Sequence, residues 1–195
     1  AFFIVQRNRN SFPLPHGNPS PSTFMSTQSN REIFETDNTK HSIPIGEILS
    51  GGVPKNGIPS IDNPIFISQQ EADKYLTADS VGLGLSVKGE DRFYPYEILV
   101  FHEIVNDTIA GEPVAVTYCP LCGTGITFSR QINDEENQEN NKVLEFGVSG
   151  RLWQSNLLMY DRAEQTENES LWSQVLGEAV VGPLTGIKLA IIPSD

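Results

Sequence analysis

The sequence predicts a mainly β (α+β) domain, an antiparallel barrel or sandwich with one or two short helices and an extended N-terminal arm. Short apolar runs rich in β-branched residues recur from the middle of the chain onward. Gly, Pro and Asn separate these runs, as turns separate strands. The beginning of the chain is instead rich in Asn, Pro and Ser, a composition typical of a linker. We therefore divide the chain into an arm, residues 1–42, and a single β-rich domain, residues 43–195.

The arm opens on a short apolar, β-prone segment, Phe2-Phe3-Ile4-Val5, which is followed by the Pro/Asn/Ser-rich linker. A strand on such a tether can pair with its own sheet or with the open edge of another copy of the chain. We favour donation to another copy, so these four residues are the predicted assembly contacts.

Two short helices are predicted in the domain. Ser68 precedes Glu71 by three residues, which is the pattern of a capping box. The second segment, Pro95–Asn106, begins with a proline at a plausible first helical position. Its helical spacing places three apolar side chains on one face: Ile98, Phe101 and Val105.

Strands are predicted wherever apolar residues alternate or cluster between turns. Residues 81–87 alternate strictly, and Lys88-Gly89-Glu90-Asp91 follows them as a turn. The polar segment 133–141 is typical of a hairpin loop. The further predicted strands are 113–118, 124–130, 143–148, 157–160 and 171–175.

Charge and hydropathy exclude several partners. Thirteen basic against 25 acidic residues give a net charge of −12, whereas nucleic acid and anionic lipid both require a basic surface. No apolar run approaches the roughly 18–20 residues of a membrane-spanning helix.

The chain begins at Ala1 without an initiator Met, which is typical of a processed N-terminus. Asn106-Asp107-Thr108 and Asn168-Glu169-Ser170 are acceptor triplets for N-glycosylation. Together these features predict an extracytoplasmic location, secreted or on the cell surface.

The two cysteines of the chain stand together in Cys119-Pro120-Leu121-Cys122-Gly123, at the end of a predicted strand. Two thiols at this spacing form a small-loop disulfide, bind a soft metal, or act as a redox pair. A disulfide would close a very small loop and so add little to global stability. The sequence leaves these alternatives open, together with a fourth in which both cysteines are reduced structural thiols.

His102 is the one histidine inside a patterned apolar segment. With Cys119 and Cys122 it would supply imidazole and thiolate ligands suited to zinc or copper. A fourth ligand could come from Met159, Glu103 or water. The sequence contains no nucleophile elbow, zinc-protease helix or dinucleotide fingerprint, so no enzyme class is recognised.

Long segments of the chain resemble the domain of unknown function 3179, a family of mostly exported bacterial and archaeal proteins. The resemblance spans about residues 45–193 and implies a mainly β exported domain, built around His102, Cys119, Cys122 and Met159, without an established activity. The segments that carry it are Gly51–Pro64, Tyr94–Asp107, Val116–Gly123, Phe146–Leu152, Met159–Arg162, Ser170–Gln174 and Gly182–Gly186.

Two hypotheses about function remain. The favoured one is a structural subunit that polymerises with other copies of itself, as a filament or surface polymer, through its N-terminal arm. The alternative is a domain that binds copper or zinc, or performs thiol redox chemistry, with Cys119, Cys122 and His102.

Overall fold

A computed structural model describes residues 3–7, 24–134 and 139–195 of the chain. Its short helices are α1 (Gln69–Ala72) and α2 (Tyr96–His102), with 3-10 turns at Ile45–Glu47 and Thr166–Asn168. Its strands are β1 (Phe3–Arg7), β2 (Thr27–Gln28), β3 (Phe34–Thr36), β4 (Thr39–His41), β5 (Leu49–Ser50), β6 (Ile65–Ser68), β7 (Gly82–Val87), β8 (Glu90–Pro95), β9 (Ile104–Ile109), β10 (Glu112–Cys119), β11 (Thr124–Ser129), β12 (Gln131–Asp134), β13 (Glu139–Val143), β14 (Phe146–Trp153), β15 (Asn156–Asp161), β16 (Leu171–Ser173), β17 (Glu178–Val181) and β18 (Ile187–Lys188).

The strands form a sandwich-like stack and not a closed barrel, so the prediction of a mainly β fold is confirmed. One outer sheet has four strands in the order β6-β1-β8-β7, and the middle sheet has three, β11-β10-β9. The other outer sheet has nine strands along the path β2-β18-β17-β16-β15-β14-β5, with β3 and β4 attached beside β17. β12 and β13 form a separate hairpin.

The middle sheet is buried on both faces. Val114 and Val116 of β10 pack with the core that the four-stranded sheet covers, whereas Ala115 and Cys119 pack with the core under the nine-stranded sheet. Opposite faces of one strand alternate in this way because successive side chains of a strand point to opposite sides. The double burial explains why β10 is an almost uninterrupted apolar run.

The predicted first helix is confirmed. Ser68 is its N-cap, and the Ser68 hydroxyl accepts a hydrogen bond from the Glu71 N–H at 3.3 Å. The helix is a single turn that ends at Ala72.

The predicted second helix is correct at its start and wrong at its end. α2 closes at His102, and Glu103 adopts a positive φ of 59° that reverses the chain. Val105, assigned by its spacing to a helical face, lies instead in β9 opposite Val116. β-Branched residues favour a strand when a neighbouring strand is available to pair.

Other boundaries also differ from the sequence prediction. The predicted hairpin loop 133–141 overlaps two strands, since β12 extends to Asp134 and β13 begins at Glu139. The segment 143–148 is divided between β13 and β14, because the chain leaves the hairpin after Val143 and re-enters pairing at Phe146. The turn after β7 consists of Lys88 and Gly89 alone, both at positive φ, and Glu90 already belongs to β8.

The apolar segment of the arm forms β1, an interior strand of the four-stranded sheet. It pairs in parallel with β6 and antiparallel with β8, and these two strands have no direct ladder to each other. Phe2 and the linker at 8–23 lie outside the described residues. The sheet is therefore continuous only because β1 occupies its second position.

Candidate thiol site

Cys122 lies on a four-residue hairpin loop, Pro120–Gly123, at one end of the middle sheet, and Cys119 directly precedes this loop. Cys119 ends β10 and is paired with Thr124, the first residue of β11. The Gly123 N–H donates to the Cys119 carbonyl at 2.9 Å and closes the loop. Gly123 has a φ of +64°, a conformation that side-chain-bearing residues rarely adopt, so the loop requires glycine there.

The two sulfurs occupy different environments. Cys119 is 1% exposed and packs in the core together with Met159 and Trp172, whereas Cys122 faces solvent. Both thiols are free in this structure. A buried thiol beside an exposed one is the arrangement in which a single sulfur meets an external reactant and the other reacts only with its neighbour.

Hydrogen-bond groups surround the exposed sulfur. The Thr124 hydroxyl lies 2.9 Å from Cys122 Sγ, and the Asn156 Nδ2 donates to the same sulfur at 3.3 Å. The Cys122 thiol also donates to the Cys119 carbonyl at 3.9 Å, and the Cys119 thiol and the Thr124 N–H are further hydrogen-bond partners of this sulfur. These groups come from three different segments, so the surroundings of Cys122 depend on the tertiary fold.

Gln174, which is fully buried, fixes these groups in place. Its Oε1 accepts from Asn156 Nδ2 at 2.9 Å, and its Nε2 donates to the Thr117 hydroxyl at 3.1 Å and to the Thr124 carbonyl at 3.2 Å. Asn156 Oδ1 in turn accepts from the Val175 N–H. The amide orientations are those that give each donor an acceptor. One hydrogen of the Asn156 amide is thereby directed at the sulfur.

The Thr124 hydroxyl can respond to the protonation state of Cys122. It lies 2.9 Å from the sulfur and 3.1 Å from Gln174 Oε1, and it carries a single hydrogen. When Cys122 is a thiol, its S–H can donate to this oxygen while the hydroxyl donates to Gln174. When Cys122 is a thiolate, the hydroxyl can rotate and donate its hydrogen to the sulfur, while Asn156 Nδ2 still donates to Gln174 Oε1.

The environments shift the two pKa values in opposite directions. Burial, assisted by the hydrogen bond with Cys122, raises the pKa of the Cys119 thiol above its usual value. Partial burial also opposes ionisation of Cys122. There, however, the hydrogen bonds from Thr124, Cys119 and Asn156 are stronger in sum and lower its pKa. The exposed sulfur is therefore the one that ionises first, and a thiolate is the nucleophilic form of cysteine.

The structure places His102 at the end of α2, buried, with its Nδ1 donating to the Pro59 carbonyl at 2.7 Å. Met159 is fully buried in β15 as a core side chain. Among the described residues no group of three or more His, Cys, Asp or Glu side chains is arranged to hold a metal ion.

The two glycosylation triplets differ in accessibility. Asn106 is 3% exposed, and its amide bonds Asp62 and both backbone groups of Phe146. In the folded domain the Asn106 amide nitrogen is hydrogen-bonded and buried, so it is not accessible to a glycosylating enzyme. Asn168 is exposed, on the 3-10 turn at Thr166–Asn168.

Three residues of the site were not predicted from the sequence: Thr124, Asn156 and Gln174. Each is polar and lies at the end of a strand or directly after it, which is the signal that could have marked them. Nothing in their spacing indicates that they converge, because they are brought together by β11, β15 and the turn after β16.

The chain belongs to a family of proteins of unknown function. The family described as "Protein of unknown function (DUF3179)" matches residues 55–195, so the chain is a member of it. No curated protein and no solved structure matches the chain. Within the described part of the chain, no helix has the length and apolar character needed to cross a membrane.

Proposed function

We propose that this domain carries out thiol–disulfide exchange with protein substrates, with Cys122 as the nucleophile and Cys119 as the resolving thiol. The observation that supports it best is the ring of hydrogen-bond groups around Cys122 Sγ, at 2.9 Å from the Thr124 hydroxyl and 3.3 Å from Asn156 Nδ2. Such donors stabilise a thiolate more than a thiol. A cysteine with a purely structural role does not require such hydrogen-bond donors.

The proposed reaction proceeds in two displacements. The Cys122 thiolate attacks one sulfur of a substrate disulfide, forms a mixed disulfide and releases the other substrate sulfur as a thiolate. Cys119 then gives up its proton and attacks Cys122 Sγ, releasing the second substrate thiolate and leaving a Cys119–Cys122 disulfide. Two electrons pass from the pair to the substrate, and the two protons of the pair end on the released thiols. The reverse sequence oxidises a substrate dithiol.

The stabilised thiolate favours the oxidising direction. A pair whose reduced form is stabilised has a higher reduction potential and is the stronger oxidant. This fits the extracytoplasmic location that we propose for the chain, since disulfides form and persist outside the cytosol.

The surface beside Cys122 favours a polypeptide substrate. Leu121, directly before the nucleophile, is 67% exposed, and Val175, next to the Gln174 amide, is 47% exposed. Two exposed apolar side chains flanking a reactive thiol offer an unfolded or extended chain a contact that a small polar disulfide would not use.

A titration with the aromatic disulfide reagent DTNB tests the roles of the two cysteines. The reduced wild type should release about two equivalents of thionitrobenzoate, because Cys119 resolves the first adduct. Cys119→Ser should release about one equivalent and retain a stable adduct on Cys122. Cys122→Ser should react far more slowly at its buried sulfur. Equal reaction rates for the two single variants, or a stable adduct on the wild type, would contradict the assignment.

Assembly through the arm is a second candidate function. It is supported by the position of β1, which fills an interior slot between β6 and β8 and is connected to the domain by a linker rich in Pro and Asn. We propose that, in assembled copies, this slot receives the β1 segment of a neighbouring copy with the same register. Each copy would then donate one strand and accept another, which produces an open polymer unless the ring closes.

Cross-linking distinguishes a donated strand from a retained one. Val5 of β1 is paired with Phe93 of β8, so one population carries Val5→Cys and another carries Phe93→Cys, both lacking the native cysteines. After joint unfolding and refolding, donation should give disulfide-linked pairs of unlike copies on a non-reducing gel. The double variant on a single chain is the control for retention. Exclusively intramolecular bonds there, together with monomers in the mixture, would refute assembly by this route.

A further inference from the structure

A pocket that shares no lining residue with the thiol site opens at the edge of the nine-stranded sheet. It has a volume of about 440 Å³ and lies between the loop after β5, the bulged part of β14, and the segment from Thr166 to Leu171. Its size falls in the range of roughly 300–1,000 Å³ that is usual for small-molecule sites. Val53, Pro54 and Leu171 supply apolar wall, and the charged lining consists of Lys55, Arg151 and Glu169.

A β-bulge presents Arg151 to this pocket. The register of β14 against β15 shifts between Val148 and Arg151, and Gly150 within the bulge has a φ of +72°. A Cβ on Gly150 would lie 2.2 Å from the Val53 carbonyl, so the bulge and the loop after β5 fit only around glycine. Bulges redirect side chains and are common beside binding sites.

Arg151 is unusual among the arginines whose side chains the structure describes. None of the residues that the structure describes forms a hydrogen bond, an ion pair or a ring contact with the Arg151 guanidinium. The other four are all engaged: Arg31 with Glu178, Arg92 with Glu90, Arg130 with three backbone carbonyls and Arg162 with Asp62. In a chain with 25 acidic residues and a net charge of −12, an arginine of a pocket that is ion-paired with none of them can offer its guanidinium fork to an anion.

The other cation of the pocket is already compensated. Lys55 Nζ is paired with the Glu169 carboxylate and lies 4.0 Å from the centre of the Tyr160 ring, whose hydroxyl donates to Asn56 at 2.8 Å. The pocket therefore carries one positive charge in excess, at Arg151. A single carboxylate balances that charge, whereas a phosphate monoester would bring a second negative charge close to Glu169.

We propose that this pocket binds a small organic monoanion, whose carboxylate is held by the Arg151 guanidinium and whose body packs on the apolar wall of Val53, Pro54 and Leu171. Binding here is independent of the thiol pair, since none of the thiol-site side chains lines the pocket.

The proposal is tested with benzoate as the probe, followed by amide chemical shifts and calorimetry. Benzoate should perturb the amides of the loop after β5 and of β14, and benzamide, its neutral counterpart, should not. Arg151→Met should weaken benzoate binding by at least about tenfold, because one charge-assisted bidentate contact is lost. Arg151→Lys, which retains the charge without the fork, should weaken it by less.

Lys188→Met is the matched control, because Lys188 is an exposed cation outside the pocket, and this variant should bind benzoate as the wild type does. Arg151 is exposed, so its substitution should leave the melting temperature unchanged. The proposal is overturned if benzamide binds as tightly as benzoate or if Arg151→Met binds within twofold of the wild type. Inorganic phosphate binding more tightly than benzoate, with the same dependence on Arg151, would overturn the preference for a monoanion.

Discussion

Replacing Thr124 with Val removes the hydroxyl's contact with Cys122 Sγ and its hydrogen bond to Gln174 Oε1. Valine keeps the shape and the β-branching of threonine, so β11 should be unaffected. Gln174 Oε1, which the Thr124 hydroxyl also reaches, retains its bond from Asn156 at 2.9 Å. Of the two contacts that the variant loses, the 2.9 Å contact between the hydroxyl and the sulfur is the one that acts on Cys122 directly.

The size of the effect follows from that contact. A hydrogen bond to a charged group contributes roughly 1.5–3 kcal/mol, and solvent at the exposed Cys122 favours the lower end. Since about 1.4 kcal/mol corresponds to one pKa unit, the pKa of Cys122 should rise by about one unit in Thr124→Val. Raising the pKa also makes the remaining thiolate more nucleophilic, so the rate at a single pH falls by less than the thiolate fraction.

The assay is therefore the pH profile of alkylation by iodoacetamide, with the modified sulfur located by tandem mass spectrometry. The midpoint of the Cys122 profile should move up by about one pH unit. Thr108→Val makes the same chemical change on an exposed residue of β9 and should leave the midpoint in place. An unchanged midpoint in Thr124→Val, or an equal shift in Thr108→Val, would refute the reasoning that these donors stabilise the thiolate.

Three further predictions concern stability. Met159→Ala should lower the free energy of unfolding in urea by about 2–5 kcal/mol, because Met159 is fully buried, whereas the same change at half-exposed Met25 should cost less than about 0.5 kcal/mol. Burial raises the pKa of Glu103 from 4.5 to about 7; the folded state then holds this proton more tightly, so stability should fall as the pH rises from 4.5 to about 7. Glu103→Gln should remove that part of the pH dependence and exposed Glu97→Gln should not; parallel profiles for the wild type and Glu103→Gln would contradict the assignment. Arg130→Met should destabilise the domain by about 3 kcal/mol or more, because three backbone carbonyls lose the charged donor that Arg130 provides. An unchanged urea midpoint would show that these carbonyls find other donors when Arg130 is absent.

The fold was largely predictable where periodicity is strong. β7 alternates strictly and β10 is a largely apolar run, and each has the extent expected from its pattern within a residue or two. β8 was missed because Glu90, Asp91 and Arg92 carry none of the apolar signal of a strand. Its pairing with β7 and β1 determines its conformation, which is a tertiary effect that local pattern does not report.

The candidate site was predictable only at its centre. The spacing of Cys119 and Cys122 indicated thiol chemistry, but it did not indicate which sulfur is exposed or which is the more acidic. Both properties depend on the direction in which β10 leaves the core and on Asn156 and Gln174, which are distant in the sequence. His102 stood out as a potential ligand by residue type, yet the fold directs its Nδ1 to a backbone carbonyl.

The position of β1 also has a consequence for the order in which the protein folds. Its partners, β6 and β8, lie far along the chain, so the earliest residues cannot complete their pairing until much of the domain is present. Contacts so distant in sequence form slowly because a long loop must close first. Until then β6 and β8 present two unpaired edges to solvent, the kind of surface at which nascent chains aggregate. The rate at which the N-terminal segment reaches its slot should therefore determine how much of the newly made protein avoids aggregation.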